Sequence, residues 1–313
     1  MYNHQDQLNI LEDNIEKVIV GKRKVIELAL ITLLCRGHIL LEDVPGLGKT
    51  MLARSIANSL ALRFKRVQFT PDLLPSDITG VSIFNQRSGE FEFKPGPIFT
   101  NILLADEINR ATPRTQSSLL ESMGEHQVTA DGSTYKLPPV FIVIATQNPI
   151  ELQGTYPLPE AQLDRFFMRI SMGYPAPGEE VRVMQMQIKE HPIKSVSSVV
   201  TEADLKAMQE AVTEMYIDIS IMEYIVKIID ATRSHPDLLL GASPRGSLSL
   251  MRASQAMALM RNLEYVVPSL IKEVAVPVLA HRIMVRPQSR LRGVTESAVV
   301  NEVLASVPVP VTK

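Results

Sequence analysis

The sequence contains no tryptophan, one cysteine, and aromatic residues at only 5% of its 313 positions. A single cysteine excludes a disulfide within the chain, and Cys35, just after the apolar run Leu28–Leu34, reads as a buried, inert thiol that suits a reducing compartment. Neither sign of charge dominates. With 32 Lys and Arg against 34 Asp and Glu, the formal charge of −2 gives no general electrostatic reason to bind nucleic acid or an anionic membrane. No apolar run approaches the roughly 20 residues of a membrane span; the longest stops at Arg36. The opening residues, MYNHQDQLNI, lack the basic-then-apolar order of a signal peptide. These absences predict a soluble, cytoplasmic protein. What is present is a hydrophobic content of 45%, enough for a packed core, in a chain long enough for one large domain and a smaller one.

Hydrophobic spacing divides the chain into two parts. Leu8, Leu11, Ile15 and Val18 predict a helix over the first 20 residues, and Val25, Ala29 and Leu33 a second over 22–34. His38–Glu42, Phe64–Phe69, Ile102–Ala105, Val140–Ala145 and Phe166–Ile170 read as short buried strands separated by helical or irregular sequence, which predicts an α/β fold with a parallel sheet covered on both faces. Two hairpins interrupt that alternation. Val81–Phe84 and Glu90–Phe93 flank a turn at Gly89, while Gln127–Ala130 and Thr134–Leu137 flank Asp131–Gly132, a pair suited to a type I′ turn. Past a Pro/Gly hinge at Gly173–Gly178 everything reads as helical. Thr201 with Asp204, and Ser220 with Glu223, look like capping boxes, and Ser243–Pro244 opens a further helix. The expected domains are therefore 1–175, α/β, and 176–313, all helical.

The loop Val44–Thr50, between a predicted strand and helix, carries the most specific chemistry. Gly46 and Gly48 let several backbone N–H groups face one anion, Lys49 reaches β- and γ-phosphates, and the Thr50 hydroxyl is placed for Mg²⁺. Asp43 stands where the general phosphate-loop pattern has glycine. Asp106 and Glu107 end the strand Ile102–Ala105, where open α/β sheets bind ligands; Asp106 is expected to hold Mg²⁺ through water and Glu107 to orient or deprotonate the attacking water. Asn148 ends another strand and either contacts the γ-phosphate and water or merely opens an Asn-Pro turn. Phosphoryl transfer also needs cations, and Arg110, Arg114, Arg165 and Arg245 are the candidates. Arg245 begins a helix, where its charge opposes the helix dipole. The six histidines are scattered, so no metal besides the nucleotide's Mg²⁺ is expected. The methionines of the second half fall at helical core spacing and read as packing.

Taken in order, IVGKRKVIELALITLLCRGHILLEDVPGLGKT, TPDLLPSDITG, GPIFTNILLADEINRATPRTQSSLLESM, ATQNPIELQGTYPLPEAQLDRF and the late HRI resemble the MoxR family of AAA+ ATPases across nearly the whole chain. The resemblance implies a five-stranded parallel AAA+ core with hairpin inserts and a helical lid. It implies ATP and Mg²⁺ held by Val44, Pro45, Gly46, Leu47, Gly48, Lys49, Thr50 and Met51, with Val20 and Gly21 at the adenine. Lys49 and Thr50 match Walker A, Asp106 and Glu107 Walker B, Asn148 sensor 1, and Arg245 a sensor 2 reaching the γ-phosphate from the lid. Arg165 is the favoured arginine finger for a neighbouring subunit, ahead of Arg114 and Arg110. The family forms rings, usually hexamers, that act as chaperone-like remodellers, often with partners bearing a von Willebrand factor A domain. Acids before its VPG are common, so Asp43 fits this group. Three other functions stay open: a nucleic-acid translocase, a transcription-activator ATPase and a nucleotide-gated scaffold. The first sits poorly with hairpins in which Arg87 and Lys94 are balanced by Glu90 and Glu92, and Lys136 by Asp131; the second lacks GAFTGA; the third sits poorly with the complete set of candidate catalytic residues.

Overall fold

A computed structural model describes residues 4–151, 154–188 and 190–310. The chain opens with α1 (His4–Glu16) and α2 (Arg23–Leu34), then β1 (Ile39–Glu42), α3 (Lys49–Ser59) and β2 (Phe64–Gln68). A short α4 (Pro75–Thr79) leads into the hairpin β3 (Gly80–Asn85) and β4 (Glu90–Pro95). Next come β5 (Ile102–Asp106), α5 (Pro113–Glu125), the hairpin β6 (Gln127–Ala130) and β7 (Ser133–Lys136), β8 (Ile142–Gln147), α6 (Glu160–Leu163) and β9 (Met168–Ile170). The remainder is α7 (Pro177–Met186), α8 (Glu202–Glu214), α9 (Ile219–Arg233), β10 (Leu238–Leu240), α10 (Pro244–Met260), α11 (Pro268–Leu279), β11 (Met284–Val285), α12 (Pro287–Leu291) and α13 (Glu296–Ser306).

The five predicted strands form one parallel sheet in the order β2-β5-β8-β1-β9. Residue alternation sends successive side chains to opposite faces. Ile102, Leu104, Ile142 and Ile144 join one apolar cluster; Leu103, Ala105, Val143 and Ala145 join the other. The first cluster runs without a break from α1, α2 and α3 into Leu205, Ile225, Met257 and Ile271 of the C-terminal helices. Burial on both faces explains why these strands read as continuous apolar runs rather than alternating ones.

Two local expectations change. The C-terminal half is not all helical, because β10 and β11 pair antiparallel. The α9 cap is Asp218, whose carboxylate accepts from the Ser220 N–H at 2.8 Å, in place of a box between Ser220 and Glu223. Asp218 was overlooked because the apolar Ile219 follows it, yet an N-cap needs only a short acceptor before the first turn. By contrast, the Thr201–Asp204 box and the Ser243 cap form as read.

The hairpins lean on each other. The rings of Phe93 and Tyr135 stack at 3.9 Å, and the Ser82 N–H donates to the Asp131 carboxylate at 3.3 Å. Asp131 and Gly132 both have positive φ, as a type I′ turn requires.

Candidate active site

The C-terminal ends of β1, β5 and β8 and the start of α3 enclose a polar cavity of about 280 Å³. Pro45, Gly46, Gly48, Lys49, Thr50 and Met51 line one side; Asp106, Glu107, Thr146 and Asn148 line the other. Gly46 and Gly48 each hold φ +87°, and a Cβ on Gly46 would meet nothing within 4 Å. The loop thus bends through left-handed glycines around open space, the cradle a phosphate chain needs. An adjoining cavity of about 260 Å³ is mostly apolar. It shares Gly46, Gly48 and Met51 and adds Val20, Leu47, Met172, Val183 and Met186, which suits a purine beside its phosphates. Gly21 and Val44 line neither cavity. Gly21 instead turns the chain at φ +70° against Glu179 of α7.

The acids occupy a defined network. The Thr146 hydroxyl donates to Asp106 Oδ1 at 2.6 Å and accepts from the Glu107 N–H at 2.8 Å. Glu107 itself adopts left-handed backbone angles, φ 56° and ψ 51°, a conformation of the kind that collects at functional sites. Its Oε2 accepts from Gln68 at 2.7 Å and pairs with Arg110 at 3.0 Å. Arg110 reaches on to Glu151 at 2.6 Å, so this finger candidate is engaged beside its own Glu107. Asn148 faces the cavity, and its Oδ1 accepts from the Ile150 N–H at 3.2 Å. Partial burial lowers the pKa of Lys49, with Asp43, Asp106 and Glu107 opposing that shift, and its ammonium donates to the Asp43 carbonyl at 2.5 Å.

Asp43 has a second task. Its carboxylate accepts from the Met172 N–H, the Ser171 hydroxyl (2.9 Å) and the Gly173 N–H (3.2 Å). The residue that breaks the general motif therefore fastens the phosphate loop to the segment leading out of β9.

The second arginine group lies elsewhere. Arg165 and Arg245 line a separate cavity of about 350 Å³ together with Arg36, His38, His126 and Arg282. Arg245, expected to reach a γ-phosphate from the lid, lines neither of the two cavities beside its own phosphate loop. The reason is packing. Ser243, the cap of α10, donates to Asp164 at 3.1 Å, Arg245 stands 3.9 Å from the same carboxylate, and Asp164 also binds the buried Arg282 of the HRI segment. Arg282 further donates to the Phe166 carbonyl at 2.7 Å, which clamps the start of α10 beside Arg165. Arg114 is exposed near the start of α5.

Arg66, Gln68 and Thr146 were not singled out from sequence. Only the parallel register sets Gln68 opposite Asp106 and so brings the residues ending β2 to the ligand-binding edge of the sheet.

A phosphate loop feeding α3, two acids at the end of a strand set apart from β1 by β8, and a helical second layer are the features of a P-loop ATPase of the AAA class. The family model described as "ATPase family associated with various cellular activities (AAA)" matches residues 38–168, and the AAA lid domain model matches 230–303. The chain is 52% identical over 301 residues to YeaC of Bacillus subtilis, covering 96% of this chain and 94% of that one. It is 40% identical over 305 residues to Chaperone MoxR1 of Mycobacterium tuberculosis, covering 95% and 80% respectively. A solved structure of a candidate ATPase from Cytophaga hutchinsonii is similar with a TM-score of 0.91 at 40% identity, over 98% of this chain and 96% of that one. The chain belongs to the MoxR family of AAA+ ATPases. Among the described residues no helix is long and apolar enough to cross a membrane.

Proposed function

We propose that this protein hydrolyses ATP at a site completed by a neighbouring copy in a ring, and uses the cycle to remodel a protein client. One observation carries the reading: Arg165 and Arg245 share a cavity apart from the chain's own phosphate cavity. Two arginines brought together away from their own nucleotide suit a neighbour's terminal phosphate. A guanidinium supplied in trans contributes on the order of 10³–10⁵ in rate.

Within one chain, the Gly46–Gly48 backbone and Lys49 hold the β- and γ-phosphates, and the apolar cavity at Val20, Leu47 and Met186 takes the base. Thr50 and Asp106 would hold Mg²⁺, which when bound neutralises phosphate charge. Glu107 accepts the proton of the attacking water once Gln68 and Arg110 release it, and Asn148 positions that water. The hairpins face the client: Phe84 and Phe91 are 50% and 74% exposed and touch edge to face at 5.3 Å. A partner with a von Willebrand factor A domain is the implication of the family resemblance.

ATPase activity per subunit is expected to fall steeply on dilution. Mixing Arg165→Ala with Glu107→Gln chains, each inactive alone, should restore partial turnover. Activity that stays constant down to the monomer, with no complementation in the mixture, rules out the shared site.

A further inference from the structure

Arg66 projects from edge strand β2 into the phosphate cavity, in which it and Lys49 are the cations among the described lining residues. Its Nε and Nη2 both donate to Asp106 Oδ2, at 3.0 and 2.6 Å. The other carboxylate oxygen is engaged by the Thr146 hydroxyl. Both carboxylate oxygens of Asp106 are therefore engaged, and the group on its outer oxygen is a cation held in a two-pronged grip. Arg66 is also 49% exposed, so the guanidinium can leave without unpacking the core.

A dication, even one bound through water, and a guanidinium compete for the same lone pairs of Oδ2. We propose that Arg66 is an exchangeable counter-cation: it holds Asp106 while the metal is away, gives the carboxylate up when Mg²⁺ arrives with ATP, and then bonds the terminal phosphate of the nucleotide in its own chain. This rests on the assignment of Asp106 as the metal's acid. Three features favour that destination. Arg66 lines the same cavity as Lys49 and Thr50, Arg245 is absent from that cavity, and arginine's planar fork matches phosphate oxygens as it matches a carboxylate. The exchange keeps Asp106 neutralised in either state and adds a cation to the terminal phosphate only when that phosphate is there. It would make the cavity both metal-dependent and selective for triphosphate over diphosphate.

The test uses the full chain. Mn²⁺ binding without nucleotide is measured by electron paramagnetic resonance for wild type, Arg66→Gln and Arg66→Lys. Uncovering Asp106 in Arg66→Gln should tighten Mn²⁺ binding about two- to fivefold, the scale of a half-exposed ion pair. Calorimetry with magnesium should show the ATP-over-ADP preference of Arg66→Gln falling on the order of tenfold, the worth of a charged hydrogen bond. Arg66→Lys, which keeps the charge but loses the fork, should recover part of that preference. Unchanged Mn²⁺ affinity, an unchanged ATP preference, or a lysine no better than glutamine overturns the proposal. Asp106→Asn separates the two layers. If it binds Mn²⁺ and Mg²⁺–ATP as wild type does, the metal assignment itself is wrong and the Arg66 inference falls with it. If it loses both while Arg66→Gln matches wild type, only the Arg66 inference fails.

Discussion

Replacing Asp164 by asparagine exchanges one oxygen for an amide NH₂ and removes one negative charge from beneath the Arg165–Arg245 surface. The consequence follows from its partner. The Arg282 side chain is 2% exposed, and its guanidinium donates to the carbonyls of Val278 (2.8 Å), Asp164 (2.8 Å) and Phe166 (2.7 Å) and to Ser249 Oγ (3.1 Å), as well as to the Asp164 carboxylate. Breaking a buried pair by removing one partner costs about 3–5 kcal/mol. Here the carbonyls go on solvating the guanidinium, and the Asp164 side chain is 18% exposed, which places the loss at about 3 kcal/mol, or roughly a hundredfold in the folded-to-unfolded ratio. Urea unfolding followed by circular dichroism measures it. Because Asp164 also tethers Ser243 and stands beside Arg245, turnover should drop at a temperature where the variant is folded. Nucleotide affinity should hold, since Asp164 lines neither nucleotide cavity. A stability loss under about 1 kcal/mol would refute the claim that this pair clamps the lid, and weakened nucleotide binding with normal turnover would refute its placement away from the chain's own site.

Acid should destabilise the fold through His38. Burial drives its pKa down to about 4, and the ring spans Met123 O at 3.2 Å and Val143 N at 3.0 Å in its neutral form. The folded pKa lies below the unfolded one near 6.5, so the unfolded chain takes up the proton first; stability is full above about pH 6.5 and is lost as pH falls toward about 4. Between pH 7 and 5 this amounts to about 2 kcal/mol, and His38→Gln, which does not titrate, should lose that part of the pH slope in unfolding experiments. Glu107→Gln should bind ATP as wild type does and turn over at less than about a hundredth of its rate, the scale of general-base catalysis, in a single-turnover assay. Asp43→Asn leaves an amide where Ser171, Met172 and Gly173 donate; nucleotide dissociation constants should rise about tenfold in calorimetry as the phosphate loop loses its tie to that segment. Gly80→Ala would put a Cβ 2.4 Å from the Lys94 carbonyl at φ +102°, so the first hairpin should open, seen as faster amide exchange over 80–95 with the nucleotide site intact.

Much of the core was legible because its signals are local. A strand buried on both faces must be apolar throughout, so Ile39–Leu41 and Ile102–Ala105 announce themselves. A backbone that cups phosphate needs glycine at positive φ, so Gly46 and Gly48 do too. A hairpin needs its turn, and Asp131–Gly132 supplies it. Less legible were β10 and β11, three and two residues long, whose pairing depends on α10 and α11 folding between them. Asp218 is less legible for a different reason: the apolar Ile219 follows it, although a cap needs only a short acceptor before the first turn.

The sequence by itself determined the family, the strand-by-strand core, the phosphate loop and the two acids, since each is written in contiguous residues whose spacing carries the physics. Only the tertiary structure decided what surrounds them. It brought Arg66 and Gln68, about 40 residues before the acids, against Asp106 and Glu107 through the parallel register of β2 and β5. It gave Asp43 its three donors from the far end of the domain. It set Arg245 in one cavity with Arg165 rather than in the cavity of the phosphate loop, because Asp164 and Arg282, 118 residues apart, meet and fix where α10 begins. Contacts of that range follow from how layers pack, and no local pattern encodes them.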